Sequence, residues 1–138
     1  MKQRIFYIIF TSLLLFSQNS FAEGTIEESL MNEIENSFEE TLIKDPRFYE
    51  IVKCFAVAHT LGESDIAFNK ALPYLEKYTL NKYGISLEDE KRVNGGYVFN
   101  AVHGKAMEEI GYRDFSNKTQ LAEQKKFFNS VLCQKIYK

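Results

Sequence analysis

The segment Phe48 to Leu61, FYEIVKCFAVAHTL, carries apolar side chains on nearly every side of a helix. Phe48, Val52, Phe55 and His59 succeed one another at spacings of four, three and four, and Ile51, Cys54 and Ala58 cover a neighbouring face. A helix that is apolar nearly all round is stable in water only when other helices cover it on several sides. Whatever this chain folds into is therefore built around that segment, which is predicted to be the central helix.

The rest of the sequence supplies the covers. Thr25 to Lys44 places Ile26, Leu30, Ile34, Phe38 and Leu42 four residues apart, with Glu filling the remainder. Asp45-Pro46 then reads as a stop and a restart, because Asp can accept the free N–H groups of a new first turn and Pro fits the first helical position. Gly62, Gly84 and Gly111 are expected to end helices in the left-handed conformation, with Ser64, Ser86 and Ser116 as the N-caps that begin the next. Asp65 to Tyr83 is then a helix with Phe68, Ala71, Leu75 and Tyr78 on its buried face and a kink at Pro73. Leu87 to Ile110 is one helix or two, interrupted at Gly95-Gly96, whose small size allows close approach. Asn117 to Tyr137 is the last, with Leu121, Phe128, Leu132 and Ile136 facing inward. No segment alternates as a strand would, so the predicted fold is all-α, a compact single-domain bundle of four to six helices.

The N-terminus points to export. Lys2 and Arg4 precede the short apolar run Ile5 to Phe16, and Ser20-Phe21-Ala22 follows, the pattern of a secretory signal peptide over residues 1–22. The run is shorter than the roughly 20 residues a membrane span needs, so no stable membrane insertion is expected after cleavage. That leaves residues 23–138 as the helical domain, periplasmic or secreted. In an exported chain whose two cysteines lie far apart, a Cys54–Cys133 disulfide is the simplest pairing, and it would tie the last helix to the central one. Loss of Lys2 and Arg4 with the leader makes a chain of formal net charge -2 more acidic still, which argues against a nucleic-acid partner.

Chemistry-bearing residues are few. His59 and His103 occupy matching positions on apolar stripes, and with Glu63 and Met107 one turn further on they are the candidates for a small metal site. The alternative favoured here is that both are core or boundary histidines hydrogen-bonded to a carbonyl or carboxylate, with no metal or cofactor. No nucleophile–base pattern selects an enzyme. Charge, by contrast, is segregated: Glu23 to Ile43 holds seven Glu and no Lys or Arg, whereas Asn117 to Lys138 holds five Lys and one Glu. Either the first and last helices neighbour one another, or Glu27, Glu28, Glu35, Glu39 and Glu40 form a docking face for a basic protein.

An exported, acidic, all-helical domain of this size with two cysteines resembles the periplasmic immunity proteins that neutralise cell-wall-degrading toxins delivered between bacteria. The resemblance covers size, leader and cysteine count, and it implies a non-enzymatic protein that acts by binding one partner protein. It carries no motif and assigns no residue. The other functions compatible with the sequence are an envelope chaperone-like factor and a small His/Met metal-binding protein, and a second copy of the chain is a further candidate partner.

Overall fold

Asp45 and Pro46 separate two helices as their chemistry requires. Asp45 is extended, its side chain accepts a 2.9 Å hydrogen bond from the Arg47 N–H, and Pro46 opens the next helix where no donor is needed. The structure is a computed structural model and describes residues 30, 33, 38–112, 114 and 116–138; the leader lies outside them. Residues 1–36 form one unit, of which Leu30 and Glu33 are described, both helical and exposed. The second unit is residues 37–138.

The second unit is all-α. After a helical segment over residues 38–44 come α1 (Pro46–Thr60), α2 (Ser64–Ile66), a π-helical turn (Ala67–Ala71), α3 (Leu72–Tyr83), α4 (Gly95–Ile110), α5 (Lys118–Phe128) and α6 (Val131–Tyr137). α1 is the central helix, touching each of the others. Phe48, Ile51, Val52, Cys54, Ala56, Val57 and Ala58 are fully buried on it, the many-sided burial that an all-round apolar sequence demands. Cys54 and Cys133 are joined by a disulfide with their Cα atoms 5.4 Å apart. Beside it the Tyr137 hydroxyl donates a 2.7 Å hydrogen bond to the Cys54 carbonyl oxygen, so α6 is held to α1 by a covalent and a polar tie.

Local details depart from the sequence reading in instructive ways. Gly62, Gly84 and Gly111 all have positive φ, and at Gly84 the left-handed conformation caps α3 directly. The serines after them are not the caps. Glu63 precedes α2 and Ser64 is already helical, while Ser86 sits in a loop. Ser116 bonds to Asp114, leaving Asn117 to cap α5 by accepting from the Gln120 N–H. Residues 87–94 form turns rather than a helix, so the segment holds one helix, begun by Asn94, which accepts from the Tyr97 N–H. Gly95 is required there: a Cβ on it would lie 2.0 Å from the Leu87 carbonyl oxygen, so no other residue lets the loop close over the start of α4. The last segment breaks into two helices at Asn129-Ser130, where Ser130 accepts from the Cys133 N–H and places the cysteine in the first turn of α6.

Pro73 produces a wide turn rather than a simple kink. Its ring cannot donate to a carbonyl one turn earlier and crowds that carbonyl, and the backbone relieves this by opening the preceding turn to the π form. The extra residue in that turn moves the buried stripe. Ala67, Ala71, Leu75 and Thr79 are the residues in the interior, whereas Phe68, expected to be buried, is 49% exposed.

Candidate partner-binding face

One flank of α3 carries a polar cluster around Asp45. This residue is only 5% exposed, and one of its carboxylate oxygens accepts from the Tyr78 hydroxyl at 2.7 Å, the Tyr83 hydroxyl at 2.8 Å and the Lys82 ammonium at 3.1 Å. Burial alone would raise the pKa of this carboxyl. The bonds from Tyr78, Tyr83, Lys82 and the Arg47 N–H outweigh burial and bring it down to about 2. Lys82 also lies over both tyrosine rings, 5.4 and 5.0 Å from their centroids. Such a carboxylate has no capacity left to take a proton from a substrate; its role is to fasten α3 to the start of α1. On the same helix, the Glu76 carboxylate accepts from the Leu87 N–H at 2.9 Å and holds the following loop.

The outward side is open. Phe68, Leu72, Leu80 and Leu87 wall a groove of about 580 Å³, with Lys77 and Glu88 at its rim. Phe68 is 49% and Leu80 46% exposed, so two of the six exposed large apolar side chains among the described residues lie on one groove. Across the ridge made by Lys77 and Asn81, a second hollow of about 480 Å³ is lined by Tyr74, Tyr78 and Lys82. Lys77, and Lys70 on the π turn, are exposed and have no hydrogen bond or ion pair among the described residues.

The residues singled out from sequence fall elsewhere. Glu27, Glu28 and Glu35 lie outside the described residues. Glu39 is tied into the fold, accepting from the Asn94 N–H at 3.0 Å, and Glu40 pairs with Lys44 one turn on in its own helix. Neither of these two pairs with a lysine of the C-terminal helices.

His59 is exposed and stacks on Phe55 with centroids 5.9 Å apart; His103 is half-buried, stacked on Phe99 and edge-on to Phe55 at 5.8 Å. The expected hydrogen bond to a carbonyl or carboxylate is not made by the Nε2 of His103, which is buried without a partner among the described residues. Burial, and then the proximity of His59, lowers its pKa. Met107 belongs to a small apolar cluster with Ala56 and Ala106, where its sulfur accepts from the Thr60 hydroxyl, and Glu63 lines a separate hollow near Lys125 and Phe128. Both imidazoles thus pack on the Phe55 ring, and among the described residues no three His, Cys, Asp or Glu side chains are grouped so as to hold a metal ion.

A further cross-tie joins α1 to α4: the Glu109 carboxylate accepts from both the Tyr49 hydroxyl and the Lys53 ammonium. Burial and the neighbouring Glu109 charge push the Tyr49 hydroxyl up to about 12. Phe68, Lys77 and Leu80 are the face that the sequence did not disclose. One signal was present: Leu80 lies off the apolar stripe of its helix, an unbalanced leucine on what should be a solvated side. Compared with family models, with curated proteins and with solved structures, the chain matches none.

Proposed function

We propose that this chain is an exported, non-enzymatic protein-binding domain, periplasmic or secreted, that recognises its partner through the outer face of α3. The observation that carries this reading is the groove itself, where Phe68 and Leu80 stand exposed against Leu72 and Leu87 on a helix whose inner side is rigidly fastened. Apolar anchors on a preorganised element, ringed by polar side chains, are what protein interfaces are made from, and tyrosines such as Tyr74 and Tyr78 are enriched there. The Cys54–Cys133 disulfide supports an oxidising compartment, and with the sequence of residues 1–22 it supports export. A toxin-neutralising factor of the immunity type is the member of this functional class that the chain resembles in outline.

Affinity capture from an envelope extract tests the proposal. A single protein should be retained saturably by the wild-type chain and by Val131→Ser, a change at an exposed site on α6. The same protein should be lost with the double substitution Phe68→Ala/Leu80→Ala. Retention of many unrelated clients would favour a chaperone-like factor, and capture indifferent to the double substitution would remove this face from consideration.

A further inference from the structure

We infer that the hollow between the end of α1 and α5 binds a small zwitterion, a free amino acid or short peptide with an apolar side chain. This site shares no residue with the groove beside α3 and stands independently of the partner assigned to that groove. Its volume is about 380 Å³, against roughly 300 to 1,000 Å³ for small-molecule sites. Thr60 and Leu61, which close α1, line it on one side, and Leu121, Phe128 and Asn129 line it from α5 and its cap.

Two opposite charges stand over an apolar lining. Leu61, Leu121 and Phe128 are half-buried, whereas Glu63 and Lys125, which line the same hollow, are exposed. Glu63 precedes α2 without capping it, and neither its carboxylate nor the Lys125 ammonium has a hydrogen bond or ion pair among the described residues. They do not pair with each other. A ligand that presents an ammonium to Glu63 and a carboxylate to Lys125 satisfies both through charge-assisted hydrogen bonds, while a ligand with one charge leaves the other unmet. The helix ends favour the ammonium further, because α1 and α5 both terminate here and the C-terminal end of a helix carries partial negative charge. Asn129 adds an acceptor. Its amide nitrogen donates to the Lys125 carbonyl oxygen at 2.9 Å, and its Oδ1 has no partner among the described residues.

The lining is fixed before a ligand arrives. The Phe128 ring packs against Tyr137 with centroids 5.0 Å apart, and the Phe128 carbonyl accepts from the Gln134 side chain at 3.1 Å. Tyr137 donates in turn to the Cys54 carbonyl beside the disulfide, so both sides of the hollow are tied to one frame. The Thr60 hydroxyl is already given to the Met107 sulfur. An apolar side chain settling on a surface held in this way has little ordering to impose.

The test follows amide chemical shifts of the isotope-labelled protein as leucine, dileucine and trileucine are added, each also in N-acetylated and C-amidated form. At least one free form should bind saturably and shift Leu61, Glu63, Lys125 and Asn129. Acetylation should weaken that binding about tenfold or more, and amidation likewise. In Glu63→Gln the free and acetylated forms should bind alike, and in Lys125→Gln the free and amidated forms, each variant erasing the penalty that its charge explains. Both positions are exposed, so shifts elsewhere in the chain should stay as in the wild type.

No saturable binding of any free form up to about 10 mM would overturn the inference. Blocked forms bound as tightly as free ones would overturn it too, leaving an apolar hollow that reads no charge. Penalties that persist unchanged in the two variants would remove Glu63 and Lys125 as the recognising groups. Shifts centred on Phe68 and Leu80 would place the ligand in the groove beside α3 and overturn the assignment to this hollow.

Discussion

Two charged regions of this protein, the acidic end of the helix over residues 38–44 and the basic face of α3, are opposites in how their charges are held. Glu39 is bonded to the Asn94 backbone and Glu40 is paired with Lys44, so the acidic residues described there are already occupied. On α3 the division falls within one helix. Tyr78, Lys82 and Tyr83 converge on buried Asp45, while Lys77 and Leu80 are exposed, Lys77 without a hydrogen bond or ion pair among the described residues. Charge density alone would choose the acidic segment as the docking surface. Accounting for where each charge is bonded chooses the other, because a group whose partner lies inside the fold has less to offer a ligand.

The largest expected effect sets the scale for this comparison without touching either face. Replacing both Cys54 and Cys133 with Ala opens a cross-link between positions 79 residues apart, which loop-closure entropy values at about 4 to 5 kcal/mol. Denaturant unfolding should show that loss while partner capture by α3 persists in the folded fraction. Next comes the inner side of α3. Asp45→Ala strands two hydroxyls and an ammonium and removes the cap of α1, at about 3 kcal/mol. A loss below about 1 kcal/mol would show that the cluster does not fasten the helix.

The same carboxylate makes a pH prediction whose sign is fixed. In the unfolded chain Asp45 titrates near 3.8 and in the folded protein near 2, so the unfolded state takes up the proton first. The stabilisation, about 2 kcal/mol, is complete above pH 4 or so and is lost as the pH falls toward about 2. Asp45→Asn should flatten the stability curve across that window.

Smaller effects sharpen the contrast between the two faces. Glu39→Ala deprives the Asn94 N–H of its acceptor and should lower stability by about 1 kcal/mol or less. Lys77→Ala and Glu40→Ala should each change it by less than about 0.5 kcal/mol. Of these three, only Lys77→Ala should slow binding. His103 is expected to act in the opposite sense to the others. Its Nε2 is buried without a partner among the described residues and its pKa is lowered, so the unfolded chain binds the proton first and stability declines as the pH falls below about 6.5. His103→Leu, which removes an unsatisfied polar atom from an aromatic cluster, should remove that decline and leave the protein as stable or slightly more so at neutral pH.

Much of the interior was legible in the sequence. The all-round apolar character of Phe48 to Leu61 announced a central helix, and the Asp45-Pro46 junction, the three positive-φ glycines and the Cys54–Cys133 bridge are where local chemistry places them. Helix starts were less legible, since Ser, Asn and Asp compete for the same N–H groups and only backbone geometry decides among them. Asn94, Asn117 and Ser130 prevailed over Ser86 and Ser116.

The docking face was hidden for a different reason. With the π turn ahead of Pro73 the interior positions are Ala67, Ala71, Leu75 and Thr79, and Phe68 is left half-exposed with its ring edge-on to Phe55 and His59. Periodicity cannot register an insertion that the backbone makes for itself. The histidines illustrate the complementary limit, for equal spacing on two stripes left His59 exposed and His103 half-buried.

Amide hydrogen exchange of the complex with the captured partner tests most directly whether α3 or the acidic segment is the recognition surface. Exchange should slow on binding across residues 67–83 and in the loop around Leu87 and Glu88, with little change across residues 38–44 and 118–137. Protection that instead concentrated in the Glu-rich residues up to 44, leaving α3 as it is in the free protein, would contradict the assignment of the partner-binding face.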